Sequence, residues 1–147
     1  MNNSEPTPAL FFEGQQPMPA ANRLLGLIPE AYIMDDPHLG QHIRELAGEA
    51  RASVMLLMLV EKEEDALHIR HRLETLASIV RSARTPSEFT LDFGTNWHRA
   101  VQSAWQEGDL IVCPVEHTIK TGLFHRTRVL CQVLVEDLHK SVYAISF

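Results

Sequence analysis

Residues 53–60 read Ser-Val-Met-Leu-Leu-Met-Leu-Val, with no polar residue after the first. A strand with one solvated face alternates apolar and polar side chains. A run apolar on both sides belongs in the interior of a sheet covered on both faces. Covering both faces takes helices, and helices between strands make those strands parallel. The rest of the chain has to supply amphipathic helices and further buried strands in alternation.

It does so in order. Arg23–Ile28 predicts a short first strand ended by Pro29, with Tyr32-Ile33-Met34 as a rival. Pro37–Ala50 predicts a helix, with Asp36 at the N-cap and Leu39, Ile43, Leu46, Ala47 and Ala50 at helical spacing. Glu61–Arg84 predicts a long helix, acidic at its start and basic at its end, as the helix dipole favours. Glu88–Phe93 alternates Phe89, Leu91 and Phe93 with polar residues and predicts an edge strand. Asn96 caps a helix whose stripe is Trp97, Ala100, Val101, Ala104 and Trp105, closed by Gly108. Asp109–Val115 is a buried strand, Thr118–Gly122 a loop, Leu123–His139 the last helix and Val142–Phe147 the last strand. The expected fold is α/β: an open, parallel, five-stranded, Rossmann-like sheet, helices on both faces, strand order near 3-2-1-4-5.

Residues 1–22 hold Pro6, Pro8, Pro17 and Pro19 among Asn, Ser and Gln. They predict a flexible arm before a domain at 23–147. Leu10-Phe11-Phe12 is an apolar exception that could dock on the body or on a protein partner.

With a net charge of −6 and no run of Lys or Arg, the chain is not expected to bind nucleic acid. No leader pattern is visible, and the longest apolar run, Val54–Val60, is too short to span a bilayer. The expectation is a cytoplasmic protein without membrane insertion. Cys113 and Cys131 fall in buried elements with no CxxC spacing and read as reduced packing thiols.

The run Trp97-His98-Arg99-Ala100-Val101 through Gly108-Asp109-Leu110-Ile111-Val112 resembles a helix and following strand of the universal stress protein family, of the type A-D-L-I-V. Ala52–Leu57 resembles the second strand of that family. Val129–Leu134 through Val142–Ile145 resembles its closing helix and strand. The resemblance covers Arg23–Phe147, and element order carries more of it than any one motif. ATP-binding members have a G-x2-G-x9-G-[ST] pattern after the fourth strand. Here Pro114–Leu123 keeps only Gly122, and Glu116 adds a like charge near any phosphate. The family aspartate after strand one would fall at Glu30 or at Asp35, without the Gly and Ser expected to follow. The resemblance therefore implies a regulatory or stress-response module with no family-type ATP site and no cofactor. It also implies a homodimer through the last strand, Val142, Tyr143, Ala144, Ile145 and Phe147, which as an uncovered edge would invite pairing.

Other constellations point to less. Asp35-Asp36 is similar to the acidic pair of receiver domains, with Asp92 as acceptor. However, strand four ends without Ser or Thr and strand five holds no Lys. His38 and His42 with Glu45, and His68 with His71, share helix faces without completing a metal set. No G-x-S-x-G elbow exists, so no catalytic nucleophile is expected. The remaining candidate ligand residues are Glu30, Asp35, Glu116, His117, Thr118, Lys120, Thr121 and Gly122, with His125 and Arg126 beside them. They suggest, as alternatives, a nucleotide or small-anion binder using the loop after strand four, or a regulatory partner of a membrane transporter.

Overall fold

The computed structural model describes residues 7–32, 37–82 and 84–146. In chain order the elements are β1 (Leu10–Phe12), β2 (Arg23–Leu27), α1 (Pro37–Ala50), β3 (Ser53–Val60), α2 (Ala66–Val80), β4 (Ser87–Phe93) and α3 (Trp97–Ala104). They continue with β5 (Asp109–Pro114), β6 (Thr118–Thr121), β7 (Arg126–Val129), α4 (Leu130–Leu138) and β8 (Val142–Ile145). Six strands form one sheet in the order β1-β8-β5-β2-β3-β4, with every pairing parallel. The five expected strands are β2, β3, β4, β5 and β8, and they keep the expected 3-2-1-4-5 order. The sixth comes from the arm.

Alternate residues of the buried strands feed two separate cores. Leu24, Val54, Leu56, Met58, Leu110 and Val112 meet α1 and α2 on one face. Leu25, Leu57, Leu59, Ile111 and Cys113 meet α3 and α4 on the other. That is why Ser53–Val60 shows no alternation: each face of β3 has its own helix layer. The α1–α2 contact is close at Gly40, where a Cβ would lie 2.5 Å from Ile79 Cγ2.

The amino ends of the central strands are tied together. Arg23 Nε and Nη2 donate to Asp109 Oδ1 and Oδ2 at 2.9 and 2.6 Å, and Nη2 also donates to the Ala104 carbonyl at 2.7 Å. The Gln106 N–H donates to Asp109 Oδ2 at 2.8 Å. The Asp109 side chain is 1% exposed, so this is a desolvated, bidentate pair with a third donor, the Gln106 N–H, on Oδ2.

The structure changes four expectations. The arm is not flexible throughout: Leu10, Phe11 and Phe12 pair in parallel with Val142, Tyr143 and Ala144. Apolar side chains next to an open apolar edge bury more by adding a strand than by staying in water. Glu13 locks the arm further. Its N–H donates to the Ala144 carbonyl, Oε1 accepts the Ser146 N–H at 3.2 Å, and Oε2 lies 2.6 Å from His42 Nε2.

The last strand is consequently not an edge. Val142, Tyr143, Ala144 and Ile145 are buried between β1 and β5, which removes the physical reason for a second copy to pair there. Phe147 lies outside the described residues.

Leu123–Val129 is not helical. Thr118–Thr121 and Arg126–Val129 form an antiparallel hairpin, and only Leu130–Leu138 is helix. Gly122 (φ 78°) and His125 (φ 51°) take left-handed conformations at the turn, and Thr, Ile and Val in the two arms favour a ladder.

The helix expected at Glu61–Arg84 is shorter, running from Ala66 to Val80 behind a 3-10 turn at Glu63–Asp65. Tyr32 sits in a 3-10 turn, Glu30–Tyr32, and not in a rival strand. Ile33, Met34, Asp35 and Asp36 lie outside the described residues.

Candidate functional site

In an open parallel sheet the loops at the carboxyl ends of two neighbouring strands part where the connections leave to opposite faces. Here that point lies between β2 and β5. The chain leaves β2 through α1 on one face, and it leaves β5 through the β6–β7 hairpin and α4 on the other. A crevice of about 850 Å³ opens there, within the range of small-molecule sites.

The ends of β2, β3 and β4 and the segment after β5 contribute to its wall. Pro29, Glu30 and Ala31 follow β2, Leu59 and Glu61 mark the end of β3, and Gly94 and Thr95 follow β4. Trp97 opens α3, and His117, Thr118, Ile119, Lys120, Gly122 and His125 come from the segment after β5. The hairpin that replaces the expected helix is thus one wall of the crevice.

Two lining rings, Trp97 and His117, pack together, with Tyr32 also against His117. The His117 ring stands edge-on to Tyr32 at 6.3 Å and to Trp97 at 6.4 Å between centroids. The backbone holds it, because the His117 N–H donates to the Pro114 carbonyl and the His117 carbonyl accepts the Leu130 N–H. Burial lowers the His117 pKa from its ordinary 6.5, so the imidazole is neutral at pH 7, one nitrogen a donor and the other an acceptor. Burial also raises the Tyr32 pKa, helped by the charge of Glu116 and then by Cys113.

Charges are divided across the opening. Glu30 and Glu61 come from the β2 and β3 side, and Lys120 and His125 from the hairpin. Gly94 (φ 110°) and Gly122 (φ 78°) each have nothing within 4 Å of an added Cβ. Open space stands beside both glycines, and Lys120 is the lining side chain that would meet an anion.

Of the candidate residues, the crevice gathers Glu30, His117, Thr118, Lys120 and Gly122. Glu116 is exposed and outside the lining, within electrostatic reach of Tyr32. Thr121 pairs with Arg126 in the hairpin ladder. Asp35 lies outside the described residues. Sequence reasoning missed Glu61, Gly94, Thr95 and Trp97 as site residues. Gly94-Thr95 directly after a strand was the available signal, because in this fold such loops converge on the crevice. Trp97 is buried, as a core residue should be, and lines the crevice as well.

The other constellations resolve into packing. Cys113 and Cys131 are free and buried. Burial first, and then the contact with Cys131, raises the Cys113 pKa well above its ordinary value, so the thiol stays protonated and a poor nucleophile. His42 is held by Glu13, and His68 accepts from Arg72 Nε at 3.0 Å. Asp92 is exposed and accepts the N–H of Phe93. Among the described residues no three His, Cys, Asp or Glu converge in a metal-binding geometry, and no helix is long and apolar enough to cross a membrane.

No protein-family model and no curated protein sequence matches the chain.

Proposed function

We propose that this chain is a universal-stress-protein-like regulatory module that binds a small anionic ligand, of the nucleotide class, in the crevice between β2 and β5. The observation that carries the reading is the crevice itself. It lies at the switch point of the sheet, has the volume of a ligand site and is walled by Trp97 and His117 beside the cation Lys120. Aromatic edges and a neutral imidazole suit a planar heterocycle, and the Lys120 ammonium suits its charged group.

The module binds without turning its ligand over. The nearest thiol, Cys113, is buried and protonated, which makes it a poor nucleophile. Recognition differs from that of the ATP-binding relatives because side chains replace the glycine cradle. Lys120→Ala should therefore weaken binding directly.

Binding can be read from Trp97. The chain has two tryptophans, and Trp105 lies away from the crevice beneath Lys140 Nζ at 3.5 Å. A Trp105→Phe variant leaves Trp97 as the sole reporter. Titration with ATP, AMP, cyclic dinucleotides and inorganic phosphate should quench or shift its emission for at least one compound, with a matching thermal shift in the unmodified protein. Flat emission and flat melting curves across that panel would overturn the reading.

A further inference from the structure

Among the described residues four large apolar side chains are exposed: Leu67 (82%), Phe93 (50%), Leu123 (88%) and Phe124 (85%). All four lie at the carboxyl end of the sheet. Leu67 is in the first turn of α2, which follows β3, and Phe93 is the last residue of β4. Leu123 and Phe124 form the tip of the β6–β7 hairpin, which follows β5. Scattered exposed apolar residues need no explanation, but four at one end of the sheet do.

Their surroundings carry opposite charge. Between Glu61 and Asp65, directly before Leu67, stand four carboxylates and one lysine, all exposed. Between Thr118 and Val129 there is no carboxylate, and Lys120 and Arg126 are exposed without an ion-pair partner among the described residues. Arg128 is already paired with Glu136 and Asp137, so it is not available. The two patches face each other across the crevice, since Glu61 lines one side and Lys120 the other.

We infer that this end of the molecule is the interface of a two-fold homodimer, in which the hairpin of each copy seats on the acidic start of α2 of the other. An interface of two-fold symmetry must be self-complementary, each patch meeting its opposite on the partner. Apolar-with-basic and apolar-with-acidic patches on a single face meet that condition. The eight side chains of two copies expose on the order of 1,000 Å², near the lower end of a specific interface, about 1,200 Å². An anionic membrane would attract the hairpin but meet the carboxylates of Glu61–Asp65 on the same face, which makes it the poorer occupant. In the dimer the crevice mouth is covered by the partner, so assembly controls ligand entry.

Sedimentation of the full chain tests this. The expected result is a dimer that dissociates as salt rises. Phe124→Ser should raise the dimer dissociation constant roughly a hundredfold, since two buried phenyl groups are lost at once. Arg126→Glu should weaken the dimer, and adding Glu64→Arg to it should restore association. These residues are exposed, so the variants fold, and near-ultraviolet circular dichroism verifies that. A monomer at high concentration overturns the proposal, as does a dimer indifferent to Phe124→Ser and to charge exchange. A monomer that sediments with phosphatidylserine vesicles through Leu123 and Phe124 overturns it in favour of a membrane. The ligand reading fails or stands separately, because the monomeric Phe124→Ser variant keeps every crevice residue and can be titrated alone.

Discussion

The two ends of the sheet are built to opposite rules. At the amino end, Arg23 and Asp109 are locked in a bidentate pair that also engages the Ala104 carbonyl and the Gln106 N–H. Asn22 donates its N–H to the Gly108 carbonyl beside them. At the carboxyl end the polar groups Glu30, Glu61, Lys120 and His125 surround open space. Charges at the first end satisfy one another, and charges at the second are held apart. Satisfied polar groups fix a fold, whereas polar groups kept separate across a crevice are available to something else. Substitutions at the first end should therefore change stability and leave binding alone, and those at the second should do the reverse.

The largest expected effect comes from Asp109→Ala. It leaves the Arg23 guanidinium in a desolvated place without its partner, which costs about 3–5 kcal/mol. Urea denaturation followed by circular dichroism measures it. Below the denaturation midpoint, ligand affinity read from Trp97 should stay within about twofold of the unmodified protein. A large loss of affinity in the folded variant would break the separation of the two ends.

Gly108→Ala should come next. Gly108 has φ 91°, where a Cβ is strained, and that Cβ would lie 2.2 Å from Asn22 Nδ2. Left-handed strain and displacement of Asn22 together should cost about 1–3 kcal/mol. Gly122→Ala makes the matched control at the carboxyl end. Its φ is 78°, but nothing lies within 4 Å of the added Cβ, so it should cost only the backbone term, about 1 kcal/mol. Equal costs at the two glycines would mean that the amino end is not the tighter one.

The same contrast explains what the sequence made legible. The sealed part of the molecule is built from repeated apolar patterns. Ser53–Val60 announces a doubly covered strand, and Trp97, Ala100 and Val101 announce a helix face, because burial imposes a period on the residues that share it. The open part has no such period. Leu123 and Phe124 are exposed, yet they run on into Val129, Leu130 and Val133, so by composition they look like the start of a helix. Thr118-Ile119-Lys120-Thr121 and Arg126-Thr127-Arg128-Val129 around a Gly-bearing turn were the competing hairpin signal, too short to prevail over the apolar run. The arm strand was half legible. Leu10-Phe11-Phe12 stands out as apolar, but which edge it joins depends on contacts about 130 residues away. Site residues were found where one loop held several of them, as in His117–Gly122. They were missed where the crevice draws single residues from separate strands, as with Glu61 and Thr95.

The smallest effects concern pH, and they separate the ends of the titration range. Burial depresses the His117 pKa, so folding favours the neutral ring. Above 6.5 both folded and unfolded chains leave it neutral, and stability is full. As pH falls below 6.5 the unfolded chain takes the proton first, so stability declines until the folded pKa is passed. His117→Phe keeps an edge-on ring against Tyr32 and Trp97 and should flatten that decline. Asp137 behaves as a carboxylate of the opposite dependence on charge. Hydrogen bonds from Arg128 and then from His98 hold its pKa below 3.8, so its contribution is present above that value and fades as pH falls below it. The group is exposed, and Asp137→Asn should cost at most about 1 kcal/mol at neutral pH. Denaturation midpoints measured from pH 8 to pH 3 should show the His117 decline setting in below pH 6.5 and the Asp137 step only at the acid limit. A decline below pH 6.5 that survives His117→Phe unchanged would place the titrating group elsewhere.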